Sequence, residues 1–201
     1  MKKQLYFIII LLLVSLVGCR SAGVISNAVV TINGKVITNE QVEDRLQYLK
    51  VLERIYQTWL PQVYNDGIPD SVREATTLDT DRASVLQQMI RYEVINQYRA
   101  ANGRLYEEDD ARQEAERNFR DLKKDKLYER ALQEALAYYR ISEKDFLVLS
   151  YSVSYDALNY WAEESLYKTE NRQADADDNA LSHEFDLFVD QLVEQAEIKY
   201  F

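Results

Sequence analysis

Ala28-Val29-Val30-Thr31-Ile32-Asn33-Gly34-Lys35-Val36-Ile37-Thr38 sets what the rest of the chain has to build around. Two runs rich in β-branched residues flank Asn33-Gly34. Asn-Gly tolerates positive φ at both central positions of a two-residue loop, so the pattern predicts a tight type I′ hairpin. A two-stranded ribbon is marginal in water on its own. This one therefore needs a third strand or a helical layer, and the rest of the chain has to supply it.

Immediately downstream the periodicity changes from two to helical. Thr38 is a good N-cap, Gln41 stands three residues on where its amide can reach back, and Ile37 and Val42 flank the cap as a hydrophobic staple. Val42, Leu46, Leu49, Leu52, Tyr56 and Trp59 recur at helical spacing up to Pro61. Residues 60–80, with Pro61, Asn65-Asp66-Gly67 and Pro69, read as a long connection. A second helix is expected from about Asp81 to Ala101 with a wide apolar face, stopped by Asn102-Gly103. A third starts near Glu107 behind a run of four acids, which suit the positive end of a helix. Its apolar stripe of Ala111, Ala115, Phe119 and Leu122 is thin. It meets a fourth helix, about Asp125 to Tyr139, across an ambiguous join at Lys123–Lys126.

Ser142 with Asp145 predicts a capped helix running to about Tyr167. Lys168–Asn179 reads as a polar loop, and a last helix spans about Leu181 to Ala196. The chain closes on Ile198-Lys199-Tyr200-Phe201, short and alternating like a strand. The expected fold is mainly α: an elongated helical domain with a small β element made by the N-terminal hairpin and the C-terminal strand.

Upstream of the hairpin the sequence reads as a leader. Lys2 and Lys3 precede an apolar run from Leu5 to Val17, which is shorter than the ~20 residues that span a bilayer. Leu16-Val17-Gly18-Cys19 then matches the lipobox of bacterial lipoproteins. The chemistry requires a thiol at the membrane surface to take the lipid and a small residue before it to admit the peptidase. Residues 1–18 are thus expected to be a signal peptide, Cys19 the lipid attachment site, 19–27 a tether, and 28–201 the folded domain, outside the cytoplasm on a bacterial membrane. Cys19 is the only cysteine, so the chain forms no internal disulfide and no cysteine metal site. The net charge is −10, and loss of Lys2 and Lys3 with the leader makes it −12. Such a chain repels nucleic acid and anionic lipid, leaving the lipid as the membrane contact.

The order of these elements resembles the N-terminal chaperone domain of SurA- and PrsA-type extracytoplasmic foldases, which is similar to part of trigger factor. Four segments carry the resemblance: Val29 to Glu40 at the hairpin and helix start, Leu86 through Ala100 to Gly103, Ile141-Ser142-Glu143-Lys144-Asp145-Phe146 with Arg140 where glycine is usual, and Ala196-Glu197-Ile198-Lys199-Tyr200. They cover most of residues 28–201. The resemblance implies that the last strand returns to the hairpin and closes a helical cradle. It also implies binding of unfolded or exported polypeptides without cofactor. The parvulin prolyl isomerase domain of those foldases has no counterpart, because Lys168–Leu181 is too short to hold one and His183 is the only histidine. Isomerase activity by family kinship and an envelope scaffold for one dedicated partner stand as the alternatives.

No catalytic residue is expected. Ser182, His183 and Glu184 are adjacent on a helix and do not face one another. Asp175, Asp177 and Asn179 mimic the start of a calcium loop, but its turn glycine and final glutamate are absent. Fifteen tyrosines, all but Tyr6 beyond the leader, fit either of two uses: transient contact with extended chains, or the half-buried edges of thin helical layers.

Overall fold

The computed structural model describes residues 27–172 and 177–201. The element order is β1 (Ala28–Ile32), β2 (Lys35–Thr38), α1 (Asn39–Val63), α2 (Asp70–Thr76), α3 (Arg82–Ala101), α4 (Glu108–Leu122), α5 (Lys126–Tyr139), α6 (Glu143–Asn171), α7 (Asp178–Gln195) and β3 (Ile198–Tyr200). The protein is mainly α, with one three-stranded antiparallel sheet. It divides into two compact units, the sheet with the start of α1 and the helices from Val42 to Ala196.

In the sheet unit the strand order is β2-β1-β3. Asn33 and Gly34 both adopt positive φ, at 49° and 86°, as the Asn-Gly turn requires. The C-terminal strand lies antiparallel to β1, with Val30 opposite Tyr200, Thr31 opposite Lys199 and Ile32 opposite Ile198. The third strand that the hairpin needs is therefore the chain's own end. Asn33 has a second task here. Its backbone N–H donates to the Glu197 carbonyl at 2.9 Å, and its side-chain oxygen accepts from the Glu197 N–H at 2.8 Å, so the turn grips the residue that precedes β3. A register shift between Ala28 and Val30 marks a bulge at Val29, whose carbonyl accepts from the Phe201 N–H at 3.1 Å. Val30 and Ile32 are fully buried, in keeping with the alternation of a sheet with one covered face.

The helix starts follow the capping chemistry read from the sequence. Thr38 Oγ1 accepts from the Gln41 N–H at 3.2 Å while Gln41 Oε1 accepts from the Thr38 N–H at 2.8 Å, a reciprocal box. Ser142 Oγ likewise accepts from the Asp145 N–H. Asp81, Asp125 and Asp177 cap α3, α5 and α7. Arg140, at the end of α5, is left-handed at φ 55°. This conformation costs a side chain about 1–2 kcal/mol and accounts for a glycine being the easier residue there.

Several boundaries differ from the sequence reading, among them the start of α7, which is Asp178 rather than about Leu181. α1 passes through Pro61 and ends at Val63. The proline removes one intrahelical bond only two residues from the end, and the Gln62 side-chain amide reinforces that turn by donating to the Thr58 carbonyl at 2.7 Å. The 60–80 connection contains α2, which Pro69 opens: its fixed φ of −57° suits a helix entry, and its carbonyl accepts from Val72 and Arg73. α6 runs four residues beyond Tyr167 to Asn171. The Lys123–Lys126 join resolves as a break, with turns between Lys123 and Asp125 and a new helix from Lys126.

Within the helical unit two apolar clusters form. One joins Val51 and Ile55 of α1 to Tyr128, Leu132 and Leu136 of α5 and Phe146 of α6. The other joins Ile95 of α3 to Phe185 and Val189 of α7, with Tyr160 and Tyr167 of α6 packed against them. α6 contributes to both, so its 29 residues are the spine of this unit.

Candidate binding surface

A polar seam runs along α6. Asp156, Asn159 and Glu163 recur at helical spacing and so share one face. Asp156 pairs with Arg45 of α1 and accepts from Asn96 Nδ2 of α3 at 2.9 Å. About one turn on, Asn159, fully buried, accepts from Arg99 Nε at 3.1 Å and from the Tyr106 N–H at 3.1 Å, and its own amide donates to the Tyr155 carbonyl. Glu163 accepts from Arg99 Nη1 at 2.9 Å and from Arg104 Nη2 at 3.0 Å. Arg99 and Glu163 are almost wholly buried, at 7% and 5% side-chain exposure. Arg45 Nε, Asn96 Oδ1 and Arg104 Nε find no protein partner among the described residues. Most of the seam is buried, with Arg104 and Asp156 its more exposed members at 31% and 18%. It fixes the register of α3 and the segment after it on α6, because sliding either helix would strand a buried charge.

Most of the helical tyrosines are buried or half-buried within helical layers, while Tyr106, Tyr138 and Tyr200 are exposed. Tyr48 stacks on Phe146, Trp59 meets Tyr128 edge to face, and Tyr160 meets Phe185 likewise. Burial pushes the Tyr48 and Tyr160 hydroxyls up to about 12 and raises Tyr128 as well. These phenols stay protonated at neutral pH. Tyr138 is the most exposed of the helical tyrosines at 61%, and Arg54 lies over its ring at 3.7 Å. Asp125 joins cap to core: its carboxylate accepts from the Leu127 N–H at 2.8 Å and from the Trp59 indole at 3.0 Å. Both bonds hold it below the usual aspartate range, the backbone bond more strongly.

Grooves open on the helical unit among the described residues. One, of about 490 Å³, lies between the end of α4 and the start of α6. Phe119 and Leu147 form its apolar part, and the Lys123–Glu143 ion pair at 2.6 Å lies in its wall. Another, of about 330 Å³, lies between the second half of α1 and the connection to α3, with Tyr56, Leu60, Pro61, Ile68 and Leu78 as its apolar lining. One of its walls, from Ile68 to Leu78, comes from a stretch that sequence periodicity left blank. Trp161 of α6 is 63% exposed.

Cys19, the lipid-attachment residue expected from the sequence, lies outside the described residues, as do the leader and Asp175. His183 is exposed on α7. Its neighbour Ser182 donates to Glu164 of α6 at 3.0 Å rather than to the histidine. Asp177 caps α7 and Asp178 pairs with Arg172. Among the described residues no group of three His, Cys, Asp or Glu side chains could hold a metal ion, and no helix is long and apolar enough to cross a membrane. No family model, no curated protein and no solved structure matches the chain.

Proposed function

We propose that the protein is an extracytoplasmic lipoprotein, anchored through Cys19, whose folded part binds incompletely folded segments of exported polypeptides and releases them without ATP or cofactor. The observation that supports this reading is the return of β3 to β1 around an otherwise helical chain, the path that the resemblance to the SurA- and PrsA-type chaperone domains implies. Fold likeness alone does not fix a function. The grooves on the helical unit add a physical reason. They are shallow and part apolar, and apolar burial of this modest extent gives weak, reversible binding, which suits capture followed by release.

The test is aggregation of a chemically unfolded client, followed by light scattering, in the presence of the chain from residue 19 onward carrying Cys19→Ser. At several-fold molar excess the chain should slow the rise in scattering. An unchanged aggregation curve at that excess contradicts the reading. The same preparation should not accelerate prolyl isomerisation of a peptide at catalytic ratios.

A further inference from the structure

We infer that residues 64–78 form a strap that lifts off α1 as a unit while the rest of the helical unit stays folded, and that in the resting protein it keeps an apolar strip of α1, Tyr56 and Leu60, out of water. The inference goes beyond the client-binding reading above and does not rest on it. The strap leaves the end of α1, carries α2 at its centre and leads to the start of α3. Among the described residues, every hydrogen bond that residues 64–78 make ends within residues 60–78, and none of these residues joins an ion pair. The amides of Val72 and Arg73 close on the Pro69 carbonyl, and the Thr76 hydroxyl on the Val72 carbonyl. No residue from 61 to 80 is buried. No polar bond therefore ties the strap to the body of the helices.

What holds the strap down is apolar. Ile68 and Leu78, both half-buried, share a groove with Tyr56 and Leu60 of α1. About 330 Å³ of open space remains between the two sides. The underside thus lacks many of the close contacts that make a packed core cohesive. Leu60 is 6% exposed but is not among the residues of the two apolar clusters described above. The two ends of the strap suit a lifting motion. Upstream, the chain turns at Asn65-Asp66-Gly67, where Gly67 takes φ 110°, an angle that glycine adopts at no steric cost. Downstream, the chain is pinned: Asp79 accepts from the Asp81 N–H at 2.9 Å and from the Ser84 side chain, and Asp81 caps α3. The fixed point lies just past Leu78, so lifting the strap unwinds neither α1 nor α3. A segment with few buried contacts and only local backbone bonds opens at a fraction of the global unfolding free energy.

Thiol labelling tests this without any client. The chain from residue 19 onward with Cys19→Ser has no cysteine. Leu60→Cys then places one reporter beneath the strap, and Val51→Cys places one in the fully buried core between α1 and α5. Under native conditions Ellman's reagent should label Leu60→Cys about a hundredfold or more faster than Val51→Cys, at a rate that urea well below the unfolding midpoint leaves unchanged. Leu78→Ser, which removes an apolar hold of the strap, should speed labelling of Leu60→Cys about fivefold or more and leave Val51→Cys as it was. Equal rates with equal urea dependence at the two positions overturn the inference. So does a Leu78→Ser that speeds both alike, since the strap then opens only with the whole unit. Trypsin provides a second reading that needs no buried substitution. The Cys19→Ser chain should be cut first after Arg73, which is exposed on α2, and should keep its far-UV circular dichroism. The nicked Leu60→Cys chain should label faster still. Survival of the Arg73 bond until global unfolding overturns the inference. Labelling that the nick does not alter also overturns it, because the reagent then enters through the standing groove.

Discussion

Replacing Glu163 by alanine lowers the unfolding free energy by about 3–5 kcal/mol, read as a shift of the urea midpoint in far-UV circular dichroism. Glu163 is the single carboxylate shared by Arg99 at 2.9 Å and Arg104 at 3.0 Å. Its removal leaves the Arg99 guanidinium buried with only Asn159 and the Arg104 carbonyl as partners. A buried charge without its counter-charge is penalised far more than the pair is rewarded. It follows that Glu163→Ala is worse than removing both charges. Arg99→Met combined with Glu163→Leu should regain most of the lost stability, because two apolar side chains of similar reach restore contact without a stranded ion. A loss below about 1 kcal/mol in Glu163→Ala would be the value of a solvated surface pair instead, and would mean that water reaches the seam.

Phe185→Ala should cost a comparable ~3–5 kcal/mol, through a different mechanism. Phe185 is 1% exposed and is the centre of an aromatic group in which Tyr160 lies 5.2 Å, Tyr167 5.6 Å and Phe188 6.0 Å from its ring. These rings hold α7 on α3 and α6. Truncation leaves a cavity that the large neighbouring rings cannot close by small shifts. Phe185→Leu, which keeps much of the volume, should lose clearly less. Equal losses for leucine and alanine would show that ring stacking rather than cavity formation carries the effect.

What the sequence made legible follows from where local chemistry decides. The Asn33-Gly34 turn, the Thr38/Gln41 and Ser142/Asp145 boxes and the Gly103 stop are set by residues within four positions of one another, and each is found where the pattern puts it. The return of the C-terminal strand to the hairpin was expected from the resemblance and from the needs of a lone ribbon; that it pairs with β1 rather than β2 is settled by the strand order. Neither consideration pointed to Asn33 gripping Glu197, a contact across 164 positions that no local pattern encodes.

The misses share a cause. α2, Asp-Ser-Val-Arg-Glu-Ala-Thr, has Val72 as its one large apolar residue, so no stripe marks it, and Pro69 reads as a break although it opens the helix. Pro61 reads as a stop because a proline near a helix end cannot be told by sequence from one just past it. The seam on α6 left a trace, since Asp156, Asn159 and Glu163 share a face between apolar flanks. The same spacing also describes a solvated face, and only the arrival of Arg99 opposite distinguishes them. The groove on α1 was invisible for the same reason as α2, which helps to form its wall.

The functional reading depends on the two ends of the folded chain being joined in one sheet. Nuclear magnetic resonance measures this most directly, through Hα–Hα contacts across the pairs Val30–Tyr200 and Ile32–Ile198 and slow exchange of the Phe201 amide, which donates to the Val29 carbonyl. Both cross-peaks and a protected Phe201 amide are expected of a joined sheet. Random-coil shifts for residues 198–201, with no cross-peak to β1, would contradict it.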